Sequence, residues 1–169
     1  MIKKKFYKII LFWIFLTSNL SAENLVYYID FEYILNNSNI GKTILVDLNN
    51  IKDINSKKLK SIQEKISEKE NLIKSKKNIL SEDEIKKSLD NLKNEIDNYN
   101  FTKNTMINEF EKVRNNKLSN FLSTISPEIQ EYMKINSIDI LLDKKNIFIG
   151  SNNYDITNEI LLKINNKFK

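Results

Sequence analysis

The feature that most constrains this chain is a long internal stretch with no helix-breaking residue. Its glycines are Gly41 and Gly150 and its one proline is Pro127, so residues 42 to 126 contain neither type. A compact domain of that size normally places several glycines and prolines in its turns. The stretch therefore predicts very few and very long elements in place of an ordinary globule.

Apolar residues recur at helical spacing along the first half of this stretch. After a shift in the pattern near Asn55, a row with a period of seven contains Leu59, Ile66, Ile73 and Leu80. Such heptad spacing is typical of helices that pack against each other along a seam. Positions that a partner helix would cover are also filled by lysines, namely Lys69 and Lys76. The seam is therefore predicted to be thin.

The second half of the stretch repeats more regularly and predicts a second long helix. Its main row is Ile85, Leu92, Tyr99, Met106 and Val113, and a second row contains Leu89, Ile96 and Phe110. Between the two halves, Ser81 and Glu84 have the spacing of a capping box, which marks the start of a helix. We therefore expect an antiparallel hairpin with its tip near residues 77–83, built from two helices of about 40 residues and about 60 Å each.

Short segments with strand character flank the hairpin. Strands are predicted at residues 25–29, 138–143 and 147–150, and Asp155 is expected to cap a final helix that runs from Ile156 to about Phe168. Ser126 and Pro127 are expected to end the second long helix or to restart it. A three-stranded sheet is marginal alone and cannot cover so long a hairpin, which favours oligomerisation through the sheet.

Together these elements predict an α+β fold. A long antiparallel α-helical hairpin, a coiled-coil arm of residues 40–125, projects from a small β-sheet body of residues 23–39 and 126–169. The body is the part expected to assemble with other copies.

The N-terminus has the three-part pattern of a secretory signal peptide. Residues 1–8 are basic, residues 9–16 are apolar, and residues 17–22 turn small and polar up to Ala22. The apolar run is shorter than the roughly 20 residues that a membrane span requires. We expect export and cleavage after Ala22 or within two residues of it. An uncleaved N-terminal anchor is the alternative interpretation.

Removal of the leader changes the charge of the chain. The whole sequence has 27 basic and 22 acidic side chains, but four of the lysines lie within residues 1–22. The mature chain would therefore be close to neutral, with 17 basic and 13 acidic residues in the arm and 6 and 9 in the body. Phosphate binding needs a concentrated positive field, so nucleic acid is not an expected partner.

The residue types that many enzymes and metal sites require are missing. The sequence contains no cysteine and no histidine, which excludes disulfides, thiolate or imidazole metal sites, and nucleophiles activated by histidine. Asp139 and Asp143 alternate with apolar residues of a predicted strand, which explains them better than acid–base chemistry. No catalytic residue, metal site or cofactor is predicted, and we do not expect an enzyme.

Several segments resemble the Skp (OmpH) family of periplasmic chaperones. The resemblance includes the leader, the helical hairpin, residues 26–30 (VYYID), 34–35 (IL) and 41–42 (GK), and, most specifically, residues 137–143 (SIDILLD) and 154–157 (YDIT). It covers the mature chain in order, although the hairpin matches by pattern alone.

The resemblance implies a periplasmic homotrimer in which strands of three subunits form one body and three arms surround a cavity. It further implies an ATP-independent holdase, without a cofactor, whose cavity keeps unfolded outer-membrane proteins from aggregating. The trimer body residues would be Leu25, Tyr27, Ile29, Ile138, Ile140, Leu142, Ile147 and Ile149.

Lysines of the arm are the candidate client-binding surface. Residues 52–77 contain nine lysines and four acids, and the candidates are Lys57, Lys58, Lys60, Lys65, Lys69, Lys74, Lys76 and Lys77. The competing interpretation is an ordinary solvent-exposed helix surface whose many lysines reflect codon bias. The resemblance also implies lipopolysaccharide contact, but where relatives can carry an arginine-rich run this chain has Arg114, Asn115, Asn116 and Lys117, a departure that weakens the implication.

A structural protein is the alternative function. An envelope-tethered coiled-coil spacer would use the same long hairpin without binding clients. It would require the leader to stay attached, so N-terminal sequencing of the mature protein separates the two hypotheses.

Overall fold

The computed structural model describes residues 25–169, and the predicted leader lies outside them. In chain order the elements are β1 (Val26–Ile29), α1 (Phe31–Asn37), α2 (Asn39–Lys76), α3 (Glu82–Ile135), β2 (Ile140–Asp143) and α4 (Thr157–Lys167). Two short 3-10 turns, Lys144–Asn146 and Asn152–Tyr154, connect β2 to α4. The predicted fold class, a long helical hairpin with a small sheet, is confirmed.

Helices α2 and α3 form the antiparallel arm. They contain 38 and 54 residues, which corresponds to lengths of about 57 and 81 Å. The chain turns between Lys76 and Glu82, and the predicted capping box closes the turn. The Ser81 N–H donates to Glu84 Oε2 over 3.0 Å, and the Glu84 N–H donates to Ser81 Oγ over 3.4 Å. The bond from the Ser81 N–H also lowers the pKa of Glu84.

Helix α3 is longer than predicted because it continues through Pro127. The break expected at residues 126–127 is therefore wrong. A proline inside a helix removes one backbone hydrogen bond and costs about 3 kcal/mol. The helix tolerates this cost because both sides of the proline are anchored: Phe121 and Ile125 are buried in the core, and Ile129 packs against it.

The sheet has two parallel strands, in a register that begins with Val26 beside Ile140. Parallel strands need a long connection between them, and here that connection is the whole arm. On its other side β1 is bonded by the chain that precedes α4, because the Ile156 N–H donates to the Tyr28 carbonyl over 3.0 Å. Strand β1 therefore offers no free edge to a third strand of the same chain.

The strand predicted at residues 147–150 is wrong. The segment forms a bend between the two 3-10 turns, with Phe148 98% and Ile149 84% exposed. It is held across β1, where the Tyr28 hydroxyl donates to the Ser151 carbonyl over 3.2 Å. The apolar alternation that predicted a strand instead leaves two large side chains at the surface.

The hydrophobic core lies where the arm meets the sheet. Phe121 and Ile125 of α3, Ile34 of α1, and Ile160 and Ile164 of α4 are almost completely buried. The cluster is completed by Ile29, Ile138 and Ile156. Helices α1 and α4 thus pack on the base of α3 and fix the arm to the sheet.

Helix α3 ends at a residue in the left-handed conformation. Ser137 has a φ of 54°, and it is the only non-glycine residue within 25–169 whose φ is positive. The Ile138 N–H donates to the Met133 carbonyl over 2.9 Å, the long bond of a Schellman motif, whose left-handed position normally holds glycine. This closing turn also explains why β2 begins at Ile140 and not at residue 138.

Replacing Ser137 with glycine is expected to raise the free energy of unfolding by about 0.5–1 kcal/mol, because glycine adopts a positive φ without the Cβ clash. Urea unfolding followed by circular dichroism measures the change. Ser151→Gly is the matched control, since Ser151 has a φ of −76° and glycine there should lower stability. Ser137→Gly with unchanged or reduced stability would contradict the strain assigned to this turn.

Candidate functional site

The eight candidate lysines lie along helix α2 and at the tip of the arm, and all are exposed: Lys57, Lys58, Lys60, Lys65, Lys69, Lys74, Lys76 and Lys77. Lys69 pairs with Glu95 across the hairpin, and Lys60 lies 3.9 Å from Glu64 along α2. The other six make no ion pair within residues 25–169. Their positive charge is therefore available to a partner in solution.

Two ion pairs connect α2 to α3 across the seam of the arm. Lys117 Nζ lies 2.8 Å from Asp47 Oδ2 near the base, and Lys69 pairs with Glu95 nearer the tip. Sequence alone provides no partner for Asp47, because its lysine is 70 residues away. Lysines that interrupt the apolar rows thus join α2 to α3 at two levels, although such exposed pairs contribute little stability.

Open grooves lie along the arm, and two of them bear on function. One, of about 460 Å³, has apolar walls formed by Leu59, Met106, Ile107 and Phe110. The other, of about 510 Å³, lies nearer the tip beside Leu72 and Tyr99 and is lined by the Lys69–Glu95 pair. The heptad rows correctly place Leu59 and Met106 in the seam, but periodicity does not distinguish a closed seam from an open one.

One face of the sheet is apolar and exposed. Because side chains alternate along a strand, Val26, Ile140 and Leu142 share this face, and they are 39%, 48% and 41% exposed. Tyr28 lies on the same face but is covered by Gly150, next to the exposed Phe148 and Ile149 bend. Contiguous exposed apolar surface of this kind marks an interaction site in a soluble protein.

The structure divides the eight predicted trimer body residues into three groups. Ile29 and Ile138 are buried in the protein's own core, where no neighbouring subunit can reach them. Three more are part-buried, namely Leu25, Tyr27 and Ile147. The remaining three are exposed, namely Ile140, Leu142 and Ile149. Phe148 is missing from the predicted set, because strand alternation directs it away from Ile147 and Ile149.

Two carboxylates and a lysine meet near the carboxyl ends of the strands. Asp30 caps α1 by accepting the Tyr33 N–H over 2.9 Å, and Asp155 accepts the Thr157 N–H over 3.0 Å. Lys144 Nζ lies 3.9 Å from Asp30 and 3.5 Å from Asp155. Burial alone would raise the pKa of Asp155, but hydrogen bonds from Thr157 and the charge of Lys144 outweigh burial and lower it. The cluster therefore connects the N-termini of α1 and α4 to the end of β2.

Replacing Asp155 with asparagine is expected to lower the free energy of unfolding by about 1 kcal/mol at neutral pH. A carboxylate whose pKa is lowered by folding stabilises the fold above its ordinary pKa of 3.8. That contribution is lost as the pH falls through the lower folded-state value. The difference between wild type and variant should therefore shrink below about pH 4. Urea unfolding across this pH range measures the difference in free energy of unfolding. Asp53→Asn, at an exposed position of the arm, is the control. A difference that does not depend on pH would contradict the charge-based role of Asp155.

Helix α4 is clamped to the end of α3 by charge. Lys163 lies between Glu131 and Glu128, 3.6 Å from the latter. The hydrogen bond between Lys163 and Glu131 lowers the pKa of Glu131 and raises the pKa of Lys163. Helix α4 also contacts the start of α2, where the Asn39 N–H donates to the Asn165 side-chain oxygen over 2.8 Å. The C-terminal helix therefore ties both arm helices to the body.

Within residues 25–169, no group of three or more acidic, cysteine or histidine side chains could hold a metal ion. No helix of the same range combines the length and apolar character needed to cross a bilayer. The candidate functional features are the arm surface, its mid-arm and tip grooves and the exposed face of the sheet.

A model of the family described as an OmpH-like outer membrane protein matches residues 26–164. The chain belongs to the OmpH-like family. Among solved structures, that of a proposed outer membrane chaperone (OmpH-like) from Caulobacter crescentus CB15 is similar, with a TM-score of 0.72, 17% sequence identity and 85% of each chain covered. At that identity the likeness shows the fold. A comparison with curated proteins gives no match. Membership of the OmpH-like family confirms the resemblance found in the sequence.

Proposed function

We propose that this protein is an ATP-independent periplasmic holdase that binds unfolded outer-membrane proteins and keeps them from aggregating. Membership of the OmpH-like family and the likeness to a proposed outer membrane chaperone support a chaperone-type role. The observation that carries the proposal is the arm, whose thin seam leaves grooves with apolar walls beside exposed lysines. Such a surface suits a long, flexible client better than a small ligand.

The exposed sheet face supports assembly of the body as a homotrimer. Burying its apolar surface against another copy would contribute about 25 cal/mol per Å². Within residues 25–169, β2 pairs with β1 alone, so its second edge can accept a strand or a loop from a neighbouring subunit. Three bodies joined in this way would hold three arms side by side around a cavity.

Capture in such a cavity would depend on many weak contacts. Exposed apolar side chains are spread over the arm, among them Leu72, Leu89 and Ile107. Dispersed contacts of this kind adapt to many sequences. The lysines would attract acidic client segments over a distance and speed their association. Because no single contact is strong, a client can be released without ATP.

An aggregation assay tests the proposal directly. The mature protein should suppress light scattering when a urea-denatured outer-membrane β-barrel is diluted into buffer. Suppression should saturate near one trimer per client and should not change when ATP is added. Absence of suppression, or sedimentation as a stable monomer under the same conditions, would overturn the proposed function.

The candidate lysines are tested by removing charge without adding bulk. The Lys74→Gln/Lys76→Gln variant is expected to slow capture of an acidic client about two- to fivefold at low salt and to reduce the salt dependence of the rate. Stopped-flow fluorescence of a labelled client measures both quantities. The Lys134→Gln/Lys169→Gln variant removes the same charge from the body and should capture at the wild-type rate. Equal slowing in both variants would assign the effect to net charge.

A further inference from the structure

The groove in the middle of the arm has a cause in the sequence. Where the apolar pattern of α2 shifts, near Asn55, the groove is lined on the α2 side by Lys52, Asn55 and Ser56 beside Leu59. Across from them α3 presents apolar side chains, namely Met106, Ile107 and Phe110. A lysine and an asparagine do not fill the space that apolar seam residues would fill. The seam stays open there, which leaves the groove of about 460 Å³.

The chemistry of this mid-arm groove suits an apolar side chain with acidic neighbours. Leu59, Met106 and Phe110 are part-buried and Ile107 is 50% exposed, so an entering side chain would meet apolar atoms on several sides. Methionine adapts to groups of different shape. Lys60 stands with Lys52 on the α2 side of the groove, and both are exposed.

Charge distinguishes the mid-arm groove from the one near the tip. The groove near the tip is lined by two lysines, Lys65 and Lys69, and by two acids, Glu68 and Glu95, so its charges balance. The mid-arm groove is lined by two lysines, Lys52 and Lys60, and by one acid, Glu111, which lies 3.3 Å from Arg114. The only ion pair of its lysines within residues 25–169 is Lys60 with Glu64, a 3.9 Å contact between exposed side chains. Such a pair is weak and readily exchanged for another carboxylate. The mid-arm groove is therefore the one that favours an anionic neighbour for its apolar occupant.

We propose that the mid-arm groove is a client-binding subsite. It takes an apolar side chain of an extended, unfolded polypeptide, while adjacent carboxylates of that polypeptide pair with Lys52 and Lys60. The proposal rests on the chaperone function proposed above and adds a defined place of contact. In a trimer the site would occur three times, so modest affinity at each arm would add up along one flexible client.

The first test removes an apolar wall of the groove. Ile107→Ser should weaken capture of a denatured outer-membrane β-barrel about five- to tenfold. The reason is that the client can no longer bury the apolar surface of a half-exposed isoleucine. The matched control is Phe101→Ser on the same helix. Phe101 is more exposed, at 73%, and lies outside the groove, so its loss should change capture less than about twofold. Titration of a fluorescently labelled client against the mature trimer measures both.

The second test fills the groove from the other side. Asn55→Leu should complete the apolar row, raise the midpoint of thermal unfolding and weaken client capture severalfold. A residue with a merely structural role would not move stability and capture in opposite directions. The matched control is Asn115→Leu, the same substitution at an exposed position of α3 outside the groove, which should leave capture unchanged.

The outcomes separate this subsite from the proposed function. If wild type does not capture the client, the chaperone function itself fails. If wild type captures it and Ile107→Ser and Asn55→Leu capture equally well, the subsite alone is wrong. Equal losses in Ile107→Ser and Phe101→Ser would also overturn it, because the contacts would then be spread over the whole arm.

Discussion

Replacing Ile140 with aspartate is expected to convert the proposed trimer into monomers that remain folded. Ile140 is 48% exposed within one chain, so a charge there is tolerated by the monomer. In the assembled body the same carboxylate would lose its water without gaining a partner. An unpaired buried charge costs about 3–5 kcal/mol, which corresponds to a rise of about two to four orders of magnitude in the dissociation constant. Sedimentation velocity measures the mass, and far-UV circular dichroism checks that the helices persist.

The same substitution on the arm serves as the control for Ile140→Asp. Ile54 is 65% exposed on α2, far along the chain from the sheet, and Ile54→Asp should sediment as wild type does. Phe148→Ser should weaken assembly as well, because Phe148 is the most exposed large apolar residue beside the sheet face. An unchanged mass for Ile140→Asp would show that the body assembles through another surface.

Replacing Gly41 with alanine is expected to destabilise the protein by at least about 3 kcal/mol. A Cβ at this position would lie 2.0 Å from the Leu35 carbonyl oxygen and 2.7 Å from Ser38 Oγ. Ser38 is completely buried and caps α2 by accepting the Gly41 N–H over 3.1 Å, so neither neighbour can move without breaking the junction of α1 and α2. Helix propensity alone would favour alanine by about 1 kcal/mol, so the expected sign is a strong test of the close approach.

Gly150 provides the control for Gly41. A Cβ at Gly150 would lie 3.2 Å from Tyr28 Cε1, a tight contact that the ring can relieve by a small shift. Gly150→Ala should therefore change the free energy of unfolding by less than about 1 kcal/mol. Urea unfolding of both variants at one protein concentration makes the comparison, since the stability of an oligomer depends on concentration. A Gly41→Ala protein as stable as Gly150→Ala would contradict the packing of α1 on α2.

Local signals in the sequence were sufficient for the arm. The absence of glycine and proline between residues 42 and 126 and the seven-residue rows predicted two long helices, and Ser81 with Glu84 predicted the position of the turn. These features depend on neighbours within a few residues, which periodicity and capping rules describe well. The same rules placed the eight lysines on a helix whose surface is exposed.

Features that depend on distant residues were predicted less well. Pro127 stays within α3 because Phe121 and Ile125 pack against helices from both ends of the chain, which a local reading of Ser126 and Pro127 cannot include. Residues 147–150 alternate like a strand, but they form a bend next to the contact of Tyr28 with Ser151 and leave Phe148 and Ile149 exposed. Ile29 and Ile138, two of the predicted trimer body residues, are buried in the protein's own core, which strand alternation alone does not indicate.

The long stretch between Gly41 and Pro127 by itself determined that this protein has an arm, because helix periodicity and caps are local properties of the chain. The sequence also carried the OmpH-like resemblance that the family comparison confirms. Only the tertiary structure decided where the arm begins and ends, which apolar residues of the body stay exposed, and that the seam is open beside Ile107. Each of these depends on which surfaces meet across many residues, and the free energy of burial is assigned only when those surfaces are in contact.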